Sequence, residues 1–172
     1  MKQFLLFIPL LTLVSCVVPT VPGLDFVTGA NRIGIDAVMV NSSSNTDSDF
    51  AVGDNFGFEL GYFLGDALEI GIDTDFSSQS AIGVAGDSTI VGAHVRYYLQ
   101  TEGNLRPWIL GGMGTVSDTV SDGTVFRAAL GVSQFFTEEV SFDVQVEQQY
   151  FTLDNSDEVD VVNVSGGLSL TL

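Results

Sequence analysis

Positive charge is nearly absent from this chain. Lys2 is the only lysine, and Arg32, Arg96, Arg106 and Arg127 are the only arginines, against 22 carboxylates and a formal net charge of −17. A chain without a basic patch has nothing to set against a phosphate backbone, so no nucleic-acid partner is expected. Cysteine is as scarce. Cys16 stands alone, which rules out an internal disulfide and a cysteine-built metal site. The apolar run at 4–14 (FLLFIPLLTLV) is too short to cross a bilayer as a helix, which takes about 20 residues. Yet only 16% of residues are charged and the mean hydropathy is +0.35, values foreign to a disordered acidic tail. Some segments must be very apolar while others hold the acids.

With Lys2 ahead of it, that apolar run reads as the core of a signal peptide spanning 1–15. It ends in Leu13-Val14-Ser15-Cys16, which resembles the lipobox of bacterial lipoproteins and implies lipidation of Cys16. Ordinary cleavage nearby, leaving Cys16 free or discarded, is the alternative. Residues 16–28 contain Pro19, Pro22 and Gly23 without sustained alternation and read as a tether.

From residue 29 onward the pattern has a period of two, the signature of half-buried strands. Eight segments are expected at 30–40, 55–64, 67–77, 88–100, 106–116, 124–136, 139–151 and 161–172, and no segment reads as a helix. Between them, long connections at 41–54, 78–87, 117–123 and 152–160 alternate with short returns at 65–66, 101–105 and 137–138. Membrane barrels of even strand number show this asymmetry, with short periplasmic turns and longer external loops. Both termini would then be periplasmic.

Alternation alone fits a soluble barrel with an apolar interior or a membrane barrel with an apolar exterior; the composition of the faces decides. One face of the second segment carries Phe56, Phe58, Leu60, Tyr62 and Leu64, and one face of the third carries Leu68, Ile70, Ile72, Thr74 and Phe76, all uncharged. The seventh sets Val140, Phe142, Val144, Val146 and Tyr150 against Ser141, Asp143, Gln145, Glu147 and Gln149, and the eighth adds Val162, Val164, Leu168, Leu170 and Leu172 to the apolar face. Opposite faces mix glycine, alanine and serine with isolated charges of both signs, which suits a crowded lumen better than a surface in water. Arg32, Arg96 and Arg127 fall on that face with Asp36, Glu59, Glu69, Asp73, Asp143, Glu147 and His94. A luminal network of ion pairs is expected, because an eight-stranded barrel is narrow enough for side chains to fill and buried charges persist only when paired. Carboxylates outnumber arginines there, leaving water, a shifted carboxyl pKa or a bound cation open. Aromatic belts are expected from Tyr62, Tyr97, Trp108, Phe135 and Phe142 at one interface and Phe56, Phe76, Phe126 and Tyr150 at the other.

Gly61-Tyr62-Phe63-Leu64-Gly65-Asp66-Ala67-Leu68-Glu69-Ile70-Gly71 is similar to the strand, turn and strand unit of the outer-membrane β-barrel family of the OmpA and OmpX type. The pair 95–99 (VRYYL) and 106–114 (RPWILGGMG) resembles its next hairpin. The resemblance extends over nearly all of 30–172 and implies an all-β, eight-stranded, antiparallel up-and-down transmembrane barrel in the bacterial outer membrane. Residues 165–172 (SGGLSLTL) resemble the terminal signal read by the outer-membrane assembly machinery, through Gly167, Leu170 and Leu172. Family members usually end in an aromatic residue, and here Leu172 takes its place.

The function expected is a structural or surface-interaction role, without an open pore, in contact with outer-membrane lipid and lipopolysaccharide. The alternatives are a lipid A modifying enzyme and a soluble ligand-binding barrel. No catalytic residue, cofactor or metal ligand is assigned. His94, the only histidine, faces inward with Arg96 two residues on, so the His-x-Ser arrangement of the deacylase barrels is absent. The loop acids Asp47, Asp49 and Asp54, and Asp154, Asp157, Glu158 and Asp160, are hard-oxygen ligands without an EF-hand pattern, and read as solvated loops that divalent ions could bridge to lipopolysaccharide phosphates. The polar stretch 41–49 could carry recognition, but names no partner.

Overall fold

The computed structural model describes residues 28–43, 55–77, 87–100, 102–118, 122–154 and 158–172. Eight strands follow one another: β1 (Asn31–Ser43), β2 (Asn55–Phe63), β3 (Leu68–Ser77), β4 (Ser88–Tyr98), β5 (Leu105–Asp118), β6 (Asp122–Phe135), β7 (Val140–Leu153) and β8 (Val159–Thr171). Each pairs antiparallel with the next, and β8 returns to β1 through pairs such as Ile35↔Leu168 and Arg32↔Thr171, so the sheet is closed. Closure leaves no edge strand, the condition for a sheet to sit in hydrocarbon.

Polarity runs inside out. Leu60, Ile72, Leu130 and Leu168 are each more than half exposed around the outer wall, whereas Glu69, Arg96, Arg106 and Ser133 are fully buried inside. In water that outer wall would be a very large apolar patch; against lipid it is the favourable arrangement. Val164 departs from its expected outward exposure: it is buried, beside the register shift between Val38 and Val40 of β1.

One end of the barrel carries the start of β1, the end of β8 and the connections 64–67, 99–104 and 136–139; the other, here the distal end, carries 44–54, 78–87, 119–121 and 154–158. The expected alternation of connection lengths fails at β5–β6. Pairing continues out to Ser117↔Asp122, and the Ser117 hydroxyl donates to Asp122 Oδ1 at 3.0 Å, leaving only three residues between the strands. Glycine and aspartate at 122–123 read as loop, yet both are absorbed into the ladder.

Trp108 and Phe135 are a second correction. Expected in a lipid-facing belt, both are 1% exposed and point into the lumen. Trp108 pairs with Tyr98 on one side and Gly131 on the other, and its indole lies where a side chain at Gly131 would be. Exposed aromatics of the outer wall include Tyr62, Tyr97 and Phe136 toward the terminal end and Phe56, Phe58, Phe76 and Phe126 toward the distal end. Phe142 and Tyr150 are half-buried on the same wall.

Candidate functional site

The lumen is built in layers, each set by the two-residue repeat of the strands. Nearest the termini lies an aromatic floor of Phe63, Tyr98, Trp108, Leu110, Ala129 and Phe135. Trp108 Nε1 donates to Ser133 Oγ at 3.0 Å, so this buried polar group is satisfied. Two guanidiniums pack on the rings of this floor: Arg96, from the distal side, is 4.3 Å from the Trp108 ring, and Arg106, whose Nε donates to Gly103 O at 3.0 Å in the terminal connection, is 4.9 Å from that of Phe135. Cations over aromatic faces are held by the ring quadrupole.

Above the floor is an ion-pair layer. Arg32 reaches Glu59 (2.5 Å), Glu69 (3.4 Å), Asp143 (2.6 Å) and Ser169 Oγ (2.7 Å), linking β1 to β2, β3, β7 and β8. Arg96 from β4 meets the same two glutamates, Glu59 at 2.8 Å and Glu69 at 3.2 Å. His94 lies between Asp73 (Nδ1, 3.0 Å) and Glu59 (Nε2, 3.2 Å). Arg127 binds Asp73 and, at 3.1 Å, Asp75. Glycines make room for three of these groups. The His94 ring lies over Gly71, the Arg127 guanidinium over Gly92, and the Glu69 carboxylate over Gly61. Small residues on the polar face are therefore the space that these side chains occupy.

Of the residues expected in the lumen, Arg32, Glu59, Glu69, Asp73, His94, Arg96, Arg127 and Asp143 form one connected network. Asp36 and Glu147 do not join its ion pairs among the described residues. Glu147 accepts from Gln149 Nε2 at 2.5 Å, and Asp36 lines a cavity. The expected network did not include Asp75, Arg106, Gln149, Asn163 or Ser169, although strand parity puts all five on the inner face. Gly167 packs against the backbone of Ile35 and the side chain of Asp36 at the β8–β1 seam, while Leu170 and Leu172 face outward. Cys16, Asp47, Asp49, Asp54 and Asp157 lie outside the described residues.

Glu59, Glu69 and His94 bring three potential metal ligands within 4.8 Å of one another. The Arg32 and Arg96 guanidiniums already fill the space between the two glutamates, so a metal ion there would face two fixed cations. This cluster is charge-neutralised by the protein itself.

The distal half differs. A cavity of about 60 Å³ is lined by Asp36, Asp75, Glu147, Gln149 and Asn163 among others. On the β4–β8 side, the distal end of the lumen is lined by Ile90, Val116, Val125, Phe151, Leu153, Val159 and Val161. A second cavity, of about 20 Å³, sits between Arg32, Arg96, Trp108 and Asp143. Neither is a channel; the arginine layer and the aromatic floor lie across the axis.

A closed antiparallel sheet with lipid-suited walls and a charged, filled interior narrows the fold to one class, and residues 9–171 match the outer membrane protein beta-barrel domain. The chain belongs to that family. The bacterial outer membrane is accordingly its compartment. Among solved structures this outer-membrane barrel is similar to Neisserial surface protein A, at 19% identity and a TM-score of 0.69 over 83% of this chain and 98% of that one. The N-terminal β-barrel domain of Pseudomonas aeruginosa OprF matches at 17% identity and a TM-score of 0.58, over 84% of this chain and 98% of the domain. OprG from the same organism matches at 13% and 0.53, over 87% and 98%. At such identities the likeness concerns the fold alone. No curated protein matches the sequence.

Proposed function

We propose that this outer-membrane barrel is a closed scaffold with a structural or surface-interaction role, neither a diffusion pore nor an enzyme. The observation that carries the reading is the destination of the four arginines. All are 7% exposed or less, three within the lumen and Arg106 buried beneath the terminal connection that holds Gly103, so no arginine is exposed at the rims, and the chain holds no lysine beyond Lys2. The rims and loops are therefore acidic throughout, while the interior is filled. A filled lumen supports scaffolding over transport, and a buried His94 bonded to carboxylates supports a structural histidine over a catalytic base.

In this reading the termini are periplasmic and the distal loops face outward. Outer-membrane lipid contacts the apolar wall. Lipopolysaccharide phosphates would repel a rim bearing Asp87, Asp122, Asp154, Glu158 and Asp160 unless divalent ions lie between them. Gly167, Leu170 and Leu172 serve as the assembly signal, supported by the outward exposure of the two leucines, and Cys16 would carry lipid on the periplasmic side.

A labelling experiment tests the orientation and the surface role together. A membrane-impermeant maleimide applied to intact cells should label Asp154→Cys and leave Glu138→Cys unlabelled until the outer membrane is opened. Labelling of Glu138→Cys alone on intact cells would invert the topology and remove the surface reading. In planar bilayers the purified barrel should give no sustained conductance.

A further inference from the structure

We propose that on the β4–β8 side the bilayer ends along Val91, Met113, Phe126, Tyr150 and Val162, and that the strand ends beyond this line stand in water as a small strand-built ectodomain with its own apolar core. The inference deepens the surface role proposed above, and takes from it only that the distal end faces the cell exterior. On the outer wall these five are the last apolar side chains of their strands. Thr89, Thr115, Thr124, Thr152 and Asp160 come next, and Ser117, Asp122 and Asp154 follow them. Toward the termini the same wall carries Ile109, Leu130 and Val146, all exposed.

The line does not follow one rung of the ladder. Val162 pairs with Gln148, one step below Tyr150; Met113 pairs with Ala93, one step below Val91; and Val91 pairs with Thr74, one step below Phe76 of β3. Between these steps Tyr150, Phe126 and Met113 share a rung. The boundary therefore climbs in one direction around the barrel, as a flat plane does when it cuts strands tilted to the barrel axis. Tyr150 sits on it with its ring on the wall and its hydroxyl bonded to Glu158 beyond, the posture of an aromatic at a wet interface.

The inner face changes at the same level and in the opposite sense. Arg127 is followed distally by Val125 on β6, Gln149 by Phe151 on β7, and Asn163 by Val161 on β8. Val125, Phe151 and Val161 are fully buried, packed with Ile90, Val116 and Leu153 in one cluster. Polar outside and apolar inside is how a sheet is arranged in water; below the line the order is reversed, as hydrocarbon requires. Hydroxyls outside could by themselves be an interfacial belt, and an apolar layer inside a plug. Both reversals at one level mark a change of solvent. Beyond the line β5 continues to Asp118 and β6 starts at Asp122, on the order of 14 Å of paired strand at about 3.4 Å per residue. On the other side Phe56 and Phe76, stacked at 5.2 Å, lie one residue from the ends of β2 and β3, so the wall is one-sided.

Fluorescence quenching tests the line on the full barrel carrying Cys16→Ser, reconstituted in vesicles of phospholipid brominated on its acyl chains. A fluorophore attached at Ala128→Cys or Leu130→Cys should be quenched, and one at Thr124→Cys or Thr152→Cys should keep most of its emission. Equal quenching at Leu130→Cys and Thr124→Cys would put the strand ends in hydrocarbon and overturn the boundary. Amide hydrogen exchange tests the core. Phe151→Ser should speed exchange at Thr124 and Thr152 about tenfold or more and leave Leu130 and Val146 unchanged, because opening is confined to one cooperative unit. Acceleration throughout the barrel, or at none of these amides, would make the apolar cluster a plug of the transmembrane lumen and overturn the ectodomain. The quenching variants lie on the outer face and remain informative if Phe151→Ser does not fold. Quenching reads depth whichever way the barrel is inserted, so it fails separately from the orientation labelling at Asp154→Cys.

Discussion

Arg32 is the side chain whose removal should be felt most widely. It is 2% exposed and contacts three carboxylates and a serine on four strands, including both β8 and β7 across the seam where the barrel closes. Substituting Met keeps length and apolar volume but removes the charge. Glu59 and Glu69 still have Arg96, so their loss is partial. Among the described residues Asp143 has no other arginine, and Ser169 Oγ is the donor that remains to it. Breaking a buried pair by deleting one partner costs about 3–5 kcal/mol, because an uncompensated charge remains. At 1.4 kcal/mol per tenfold, that is on the order of two to three and a half powers of ten in the folding equilibrium.

Urea titration in detergent or lipid vesicles reads this directly, because Trp108 is the only tryptophan and lies in the lumen below the network. The Arg32→Met barrel should unfold at markedly lower urea. Removing the orphaned charge as well, in Arg32→Met/Asp143→Asn, should return about 1–3 kcal/mol, the usual coupling for residues in direct contact. A loss below about 1 kcal/mol for Arg32→Met would mean that water reaches Asp143 freely and the lumen is not a low-dielectric layer. Strict additivity of the two substitutions would show that the contact carries no coupling.

Two further outcomes follow from the same packing. Gly131→Leu places a side chain in the volume of the Trp108 indole; overpacking of this kind costs about 1–3 kcal/mol, and the Trp108 emission should shift as the ring is pushed from the floor. Ile70→Arg, on the lipid-facing wall of β3, should cost about 2–4 kcal/mol if it sits near the bilayer midplane; Asp66→Arg, in the adjoining turn, should cost far less, as compared by urea midpoints in vesicles.

Much of this architecture could be read from residue order. The eight segments, their pairing with sequence neighbours and the inside-out polarity all follow from the period of two together with uncharged faces such as Phe56, Phe58, Leu60 and Tyr62. What could not be read is where strands stop when their ends carry loop-like residues. Asp122 and Gly123 look like a turn, but ladder pairing with Ser117 and Val116 continues through them. β5 and β6 therefore run on where lipid-facing alternation has already given way to Ser, Thr and Asp. Turn propensity is a local preference, and two paired strands already held in register override it.

The aromatic floor teaches the opposite lesson, since the information was present. Trp108 shares parity with Arg106, Gly112 and Gly114 on β5, while Leu105, Ile109 and Met113 form the exposed set. Parity sends Trp108 inward; placing it in a lipid belt uses only its position near a strand end. Parity says which wall a side chain faces, and nothing about the level at which it meets side chains from other strands. Level depends on the register between neighbours. Only with Tyr98↔Trp108↔Gly131 aligned does it emerge that a glycine lies beside the indole and an arginine above it. The same register puts Leu110 and Ala129 beside Arg96, so that uncharged neighbours bound the ion-pair layer from below. Charge in this lumen is therefore bordered by uncharged neighbours as well as paired.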